Sequence, residues 1–338
     1  MKITIKDVAR EAKVATSTVS RVLANSNRIS EETKERVNEA IKKLNYIPSV
    51  VARGLAKNKT RILAVLLPGE AEVSFENPFF VQAMKGISMC SQREDYYIMY
   101  AFNENKENEE EWIKKFTEGN LVDGICLFNV KDNDKTINYL KNKEFPFVVI
   151  GRPDEIKDIL WVDNDNFTAM YNLTRRIVEL GNEKIAFIGA KSEMNVSKDR
   201  LNGYKQALFN KDIKIDDKLI VEMDNFSEEN GYTAAKHILE NNNVSAFVTT
   251  DDLIAFGVQR AVEELKYDDI SIVGFNNIPL TQYKNPPIAS VDINSEKLGI
   301  YAIKLLIDKL ENRKNNGYYV IETRLIERES LIKNNIKI

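Results

Sequence analysis

One histidine, His237, and two cysteines, Cys90 and Cys126, are the whole supply of imidazole and thiol in 338 residues. Two cysteines cannot build a disulfide framework or a Cys-based zinc site, and both are expected to be buried thiols. His237 sits mid-helix at a position expected to face solvent, and no His/Cys/carboxylate cluster has metal-ligand spacing. No glycine-rich turn of the P-loop or dinucleotide type opens a helix. The acidic pair Asp251-Asp252 could imitate a carboxylate dyad, but adjacent residues at a helix start point apart. No apolar run has the form of a signal peptide or approaches the length of a membrane span. These absences point away from an enzyme, a metalloprotein, a cofactor carrier and a membrane protein, and toward a cytoplasmic one.

The first sixty residues hold the strongest pattern. Thr4 is placed to cap a helix from Ile5, with Asp7 three positions on completing a capping box. Val8, Ala9 and Ala12 share one face. After a turn at Lys13-Val14-Ala15 comes Thr16-Ser17-Thr18-Val19-Ser20-Arg21-Val22-Leu23, with Val19, Val22 and Leu23 inward. Its outer face is hydroxyl-rich and carries a guanidinium. Two short helices around a tight turn are what a helix-turn-helix needs to enter a major groove, where such groups pair with base edges and phosphates. Thr16, Ser17 and Arg21 are expected to read bases, Thr18 and Ser20 to orient or touch phosphate, and Arg28 to meet phosphate. Ser30 can cap a third helix running to Leu44. Beyond Pro48, residues 49–56 form a short, weak helical pattern containing Ala52, Gly54 and Leu55, too short to be stable in water without support.

Ile5-Lys6-Asp7-Val8-Ala9, Thr18-Val19-Ser20-Arg21-Val22-Leu23 and Leu44-Asn45-Tyr46-Ile47-Pro48 resemble the signature of the LacI/GalR transcriptional regulators. The resemblance implies a homodimer on near-palindromic double-stranded operator DNA, an effector-binding core, and hinge helices in the minor groove, with Ala52 and Leu55 as hinge contacts and Leu55 as the wedge. Two residues depart from the pattern. Lys13 stands where the family carries Gly, so it is expected at positive φ. Ala15 replaces a usual Ser, removing a helix cap or phosphate contact.

Charge follows the same division. Residues 1–60 carry thirteen Lys/Arg and six Asp/Glu, a net of +7 in a chain whose total is −3. A basic head on an acidic body suits a protein that places only one end on nucleic acid. From Arg61 strand-like runs (62–68, 97–102, 124–128, 146–150) alternate with helical ones (79–93, 109–118, 134–143). A second set of strands (184–188, 219–223, 246–250, 270–275) alternates with helices at 167–180, 201–209, 229–239 and 253–265. The expected fold is α/β: a three-helix head (1–47), a hinge and linker (48–61), and a two-lobed core (62–338) of two parallel sheets, like a periplasmic sugar-binding protein. Residues 291–298 would carry the last crossing between lobes, 295–310 a helix, and 319–325 an edge strand. On the helix 79–93, Met84, Ile87, Ser88 and Cys90 offer a candidate dimer face.

Ligands in open α/β sheets lie beyond the carboxyl ends of strands. There the sequence offers Phe75, Asn77 and Phe79, with one of Phe79 and Phe80 in the core and the other at the site. It also offers Arg152, free to point into the cleft, then Asp163, Asn195, Arg200, Phe226, Asp251 and Asn276. Aromatic rings suit the C–H face of a sugar, and an arginine fork can clamp two ligand oxygens. Several of these fall on motifs resembling the family's: Val162-Asp163-Asn164, Arg200-Leu201-Asn202-Gly203-Tyr204, Thr250-Asp251-Asp252 and Gly274-Phe275-Asn276-Asn277. Relative to those motifs, Asp251 and Asn276 have exchanged carboxylate and amide. Asp252 is expected to cap the helix that follows. The combination is most similar to the branch that represses maltose and maltodextrin operons in Gram-positive bacteria, implying a small neutral sugar as effector. A free solute-binding protein fits neither the basic head nor the missing export signal. The alternative is a regulator of the same family controlled by a phosphorylated carrier protein as corepressor, as some members are; what would distinguish it is a surface site for that partner, which the sequence does not identify.

Overall fold

The computed structural model describes residues 3–24, 26–46, 59–68, 75–103, 106–128, 134–191 and 194–333. The proposed hinge helix, with Ala52 and Leu55, lies outside them. In the head, α1 (Ile5–Glu11), α2 (Thr16–Leu23) and α3 (Glu31–Lys43) pack around Val8, Ala9, Val19, Val22, Val37 and Ala40. Asp7 reaches back to the Thr4 N–H at 2.9 Å, and Ser30 accepts from Thr33 N. Lys13 takes the left-handed conformation expected of it, φ 53°. Ala15 is the N-cap of α2 and supplies no capping bond.

The core consists of two six-stranded sheets. The first holds β1 (Ile62–Pro68), β2 (Tyr97–Asn103), β3 (Gly124–Phe128), β4 (Phe147–Ile150), β5 (Leu160–Asn164) and β11 (Tyr318–Ile321), in the order β11-β5-β4-β3-β1-β2, all parallel. The second holds β6 (Ile185–Ala190), β7 (Ile220–Met223), β8 (Ala246–Thr249), β9 (Ser271–Asn276), β10 (Ala289–Asp292) and β12 (Arg324–Ile326), with β12 antiparallel at the edge. Central strands such as β3 and β8 are buried throughout, as continuous apolar runs covered by helices on both faces should be. Helices α4 (Pro78–Arg93), α5 (Lys106–Glu118) and α6 (Lys135–Asn142) serve the first sheet. Helices α7 (Asn166–Glu179), α8 (Asn195–Phe209), α9 (Glu228–Asn241) and α10 (Asp252–Glu264) serve the second.

The chain crosses between lobes three times: after β5, after β10, and between β11 and β12. The stretch expected as one edge strand over 319–325 is therefore two short strands in different sheets, and the crossing at 291–298 is followed by another. Strands β5 and β10 end in polar residues, Asp163-Asn164 and Asp292, which masked their extended character in the sequence. Helix α11 (Ser295–Leu310) follows the second crossing and returns to the first lobe. There it lies against α4 so closely that a Cβ on Gly86 would fall 2.0 Å from Glu296 O, and one on Gly299 would fall 2.1 Å from Ala83 O. This contact covers much of the proposed dimer face: Ile87 and Cys90 are core residues, Met84 packs beside them, and Ser88 bonds Tyr100.

Candidate functional site

Between the lobes, at the carboxyl ends of both sheets, is a cleft enclosing about 690 Å3, its open mouth included. Nine of the ten proposed effector residues line it. Phe75 does not. It is 52% exposed and packs its ring on Phe102, 5.5 Å between centroids. Phe80 is a buried core residue, and Phe79, half-buried and edge to face with it, is the ring at the site, although both touch the cleft. Phe226 is a half-buried second aromatic wall from the other lobe.

Helix starts position the polar groups. Asn77 caps α4, its Oδ1 accepting from Phe79 N, and Pro78 follows in the first turn where its missing N–H has no cost. The Asn77 amide nitrogen is thereby turned toward the second lobe. Asp251 caps α10 through Leu253 N at 2.7 Å, while its other oxygen accepts from Asn276 at 2.8 Å. So Asp251 is the cap, not Asp252. Asp252 is buried behind it, accepting from Ile278 N and Ser290 Oγ, and Gly274 has no side chain because the Asp252 carboxylate occupies that space. Burial pushes Asp251 up to about 6, against the hydrogen bonds it accepts.

Asp163 is also buried and is pushed up to about 6. It accepts from Arg152 N, Asn164 N and the Asn166 amide. The Asn166 oxygen then accepts from Arg200 Nε at 3.0 Å, and Arg200 Nη1 donates to Thr250 O at 2.6 Å. The guanidinium lies 3.8 Å over the Phe275 ring, and burial lowers it to about 10. Arg200 is thus not on an exposed salt bridge. It is a buried cation whose fixed partners are an amide and a carbonyl, with the rest of its fork on the cleft. Arg152 is not free: it pairs with Asp199 of α8 at 2.5 Å, across the cleft mouth, while its carbonyl accepts from Asn195.

Two lining atoms are buried without a hydrogen-bond partner, Asn195 Oδ1 and Thr250 Oγ1. Orphaned groups of this kind cost about 1–3 kcal/mol each unless a ligand satisfies them. Thr250 escaped the sequence reading although it adjoins Asp251 at a strand end. Asn164 escaped too, inside the quoted Val162-Asp163-Asn164 segment. Ile293 and Leu298 complete the lining and carry no polar signal that could have singled them out.

On the head, Thr16, Ser17, Arg21 and Arg28 are exposed, while Thr18 and Ser20 are half-buried. The division expected between base-reading and orienting positions is therefore sterically available. His237 is exposed on α9 and is not among the residues that line the cleft. Among the described residues no helix is long and apolar enough to cross a membrane.

Comparison with known proteins adds an independent line. Residues 4–49 match the family described as bacterial regulatory proteins, lacI family, and residues 174–331 match a periplasmic binding protein-like domain. The transcriptional regulator MalR of Streptococcus pneumoniae is 34% identical over 320 residues, 94% of this chain and 95% of that protein. The solved complex of the transcriptional regulator CelR with cellobiose is 27% identical, with a TM-score of 0.76, and the match covers 97% of this chain and all of that one. A probable maltose operon repressor, malR of Staphylococcus aureus, is 26% identical, with a TM-score of 0.75, covering 82% of this chain and all of that one.

Proposed function

The chain belongs to the LacI family of DNA-binding transcriptional regulators, and from that premise we propose that it represses sugar-utilisation genes and leaves its operator when maltose or a short maltodextrin fills the cleft. The observation that carries the sugar reading is the pairing of orphaned oxygens with aromatic walls: Asn195 Oδ1 and Thr250 Oγ1 await hydroxyl donors between Phe79 and Phe226. Two buried carboxylates against one buried guanidinium, with the other lining arginine, Arg152, already paired with Asp199, disfavour an anionic effector such as a sugar phosphate, and so favour a neutral one. Phe79 and Phe226 stack on rings, and Arg200, Asn195, Asp163, Asp251, Asn276, Asn77 and Arg152 hold hydroxyls directly or fix the groups that do. The maltose operon repressor and the cellobiose complex among its neighbours support a disaccharide of glucose.

In this reading residues 1–47 read DNA through Thr16, Ser17 and Arg21, residues 48–61 join head to core, and residues 62–338 bind effector and dimerise. Two heads on one dimer match a palindromic operator by symmetry, and the protein works in the cytoplasm where that operator is. Control by a phosphorylated carrier protein is not favoured. Calorimetry with maltose, maltotriose, cellobiose and glucose 6-phosphate tests the effector. Maltose or maltotriose binding best supports the reading, cellobiose binding best replaces it with a β-glucoside, and glucose 6-phosphate binding best refutes the charge argument.

A further inference from the structure

The effector cleft and the end of the linker sit at the two ends of one helix. α11 runs 16 residues from Ser295 to Leu310, about 24 Å. At its first end Ile293 and Leu298 line the cleft, and the Ile293 carbonyl accepts from Asn164 at 3.0 Å. Along its length it is pinned to α4 by the Gly86 and Gly299 approaches and by the Lys85–Glu296 pair at 2.7 Å. At its far end it holds the chain arriving from the head. Lys59 Nζ donates to Leu310 O at 3.0 Å and pairs with Glu311 at 3.3 Å. Arg61 donates to the same Glu311 oxygen at 2.8 Å while lying 4.5 Å over the Tyr96 ring, and Tyr96 Oη donates to that oxygen too. Beside this, Asp123 accepts from Thr60 N at 2.6 Å, Thr60 Oγ1 at 2.9 Å and Arg61 N at 2.9 Å. Arg61 is held at φ 59°, a conformation a non-glycine residue keeps only where its surroundings impose it.

A linker that served only as a tether would need none of these bonds. We propose that α11 is the strut that carries the state of the cleft to the DNA-binding head, and that Glu311 and Asp123 are positioning residues fixing the linker's exit to its far end. The proposal rests on the cleft being the effector site. An occupied cleft changes how the lobes meet, which moves the crossing at Ile293 relative to the second lobe. α11 is clamped along α4 and does not bend, so the pose of the first lobe is delivered to Lys59-Thr60-Arg61.

The test uses the full chain, maltose, and a palindromic operator fragment selected from random DNA by the wild type. The variants are Glu311→Gln, Asp123→Asn and Lys59→Met. Maltose affinity by calorimetry should stay within about twofold of wild type. The ratio of operator affinities without and with maltose, about 5–150-fold for couplings of this class, should fall toward unity. If α11 carries the signal, operator alone should alter hydrogen exchange over residues 293–298 in the wild type, and this change should vanish in the variants. Variants that keep both the ratio and the exchange change overturn the strut. If maltose does not bind the wild type, the effector assignment fails, and the operator-induced exchange change alone then decides the strut for or against. If Glu311→Gln melts out, Asp123→Asn and Lys59→Met, which alter neither α11 nor Glu311 itself, decide it.

Discussion

Asn77, the cap of α4 in the first lobe, donates its amide to the carboxylate of Asp251, the cap of α10 in the second, at 3.1 Å. Two helix N-termini thus share one carboxylate across the cleft, an arrangement the helix dipoles favour. The bond joins the two lobes directly. Asn77→Asp keeps the cap on Phe79 N but sets a second carboxylate against Asp251. Sugar affinity should fall about tenfold or more near pH 8, because two close carboxylates cannot both stay charged cheaply, and recover toward pH 5 as one binds a proton. Calorimetry across that range checks it. An affinity that never drops would show that the bond contributes nothing to closure.

Asp163 and Asp251 give the core an inverted acid response. Each is held at about 6, against an ordinary value of 3.8, because burial penalises the charged form. Each therefore binds its proton more readily folded than unfolded. Their contribution to stability is complete below pH 4 and is lost as pH rises through 6. The wild type should lose more stability between pH 4 and pH 7.5 than Asp163→Asn does, with the difference on the order of 1–3 kcal/mol. Denaturant unfolding at several pH values measures both slopes. Parallel slopes would mean that Asp163 titrates as an ordinary surface carboxylate.

Arg200 is fixed by Asn166, Thr250 O and the Phe275 face, so truncating it to alanine would strip several buried partners at once. Arg200→Lys is the sharper probe. It keeps the charge among the carboxylates but loses the planar fork. We expect sugar affinity to drop by about 1–3 kcal/mol while operator affinity without sugar is unchanged. Unaltered sugar binding would move the ligand away from Arg200.

The motif-bearing residues of the cleft were legible because strand ends concentrate them: Asp163, Arg200, Asp251 and Asn276 each sit where a strand or helix meets the opening. What the sequence hid was commitment. Nothing in Gly151-Arg152-Pro153 tells that Arg152 will pair with Asp199, forty-seven residues on, or that Asp251 rather than Asp252 will cap α10. Such choices are made by the facing lobe. The final strand pair was misread for a related reason, since Glu322-Thr323-Arg324 is only a short polar break between apolar runs and gives no sign that the chain changes sheets there. Phe75 lies before the helix that Asn77 caps, and proximity in sequence did not become proximity to the cleft.

On the head, Arg21 is exposed on α2 with Thr16 and Ser17. Arg21→Ala should cost about 1–3 kcal/mol per half-site and relax sequence preference, as loss of a base contact does. Arg28→Ala should weaken all sequences alike and lower the salt slope by about one. Binding titrations on matched and scrambled sites at several salt concentrations separate the two. An Arg21 variant that changed only the salt slope would be reading phosphate.

Asn164 ties all three crossings together. It opens the first, and its amide donates to Ile293 O of the second at 3.0 Å and to Ile321 O of the third at 2.9 Å. The side chain is buried, so no water replaces it there. Asn164→Ala leaves two buried carbonyls unpaired and should cost about 1–3 kcal/mol for each that stays dry. Asn164→Asp is the more telling change, being nearly the same shape. Ionised, it places an anion against two carbonyl oxygens and can donate to neither. Protonated, it recovers one bond. Asn164→Asp should therefore be less stable than Asn164→Ala at pH 8 and should overtake it as pH falls toward 5, in chemical denaturation of the full chain. If the alanine variant matched the wild type, the crossings would be held by packing alone, and the amide would have no part in setting the angle between the lobes.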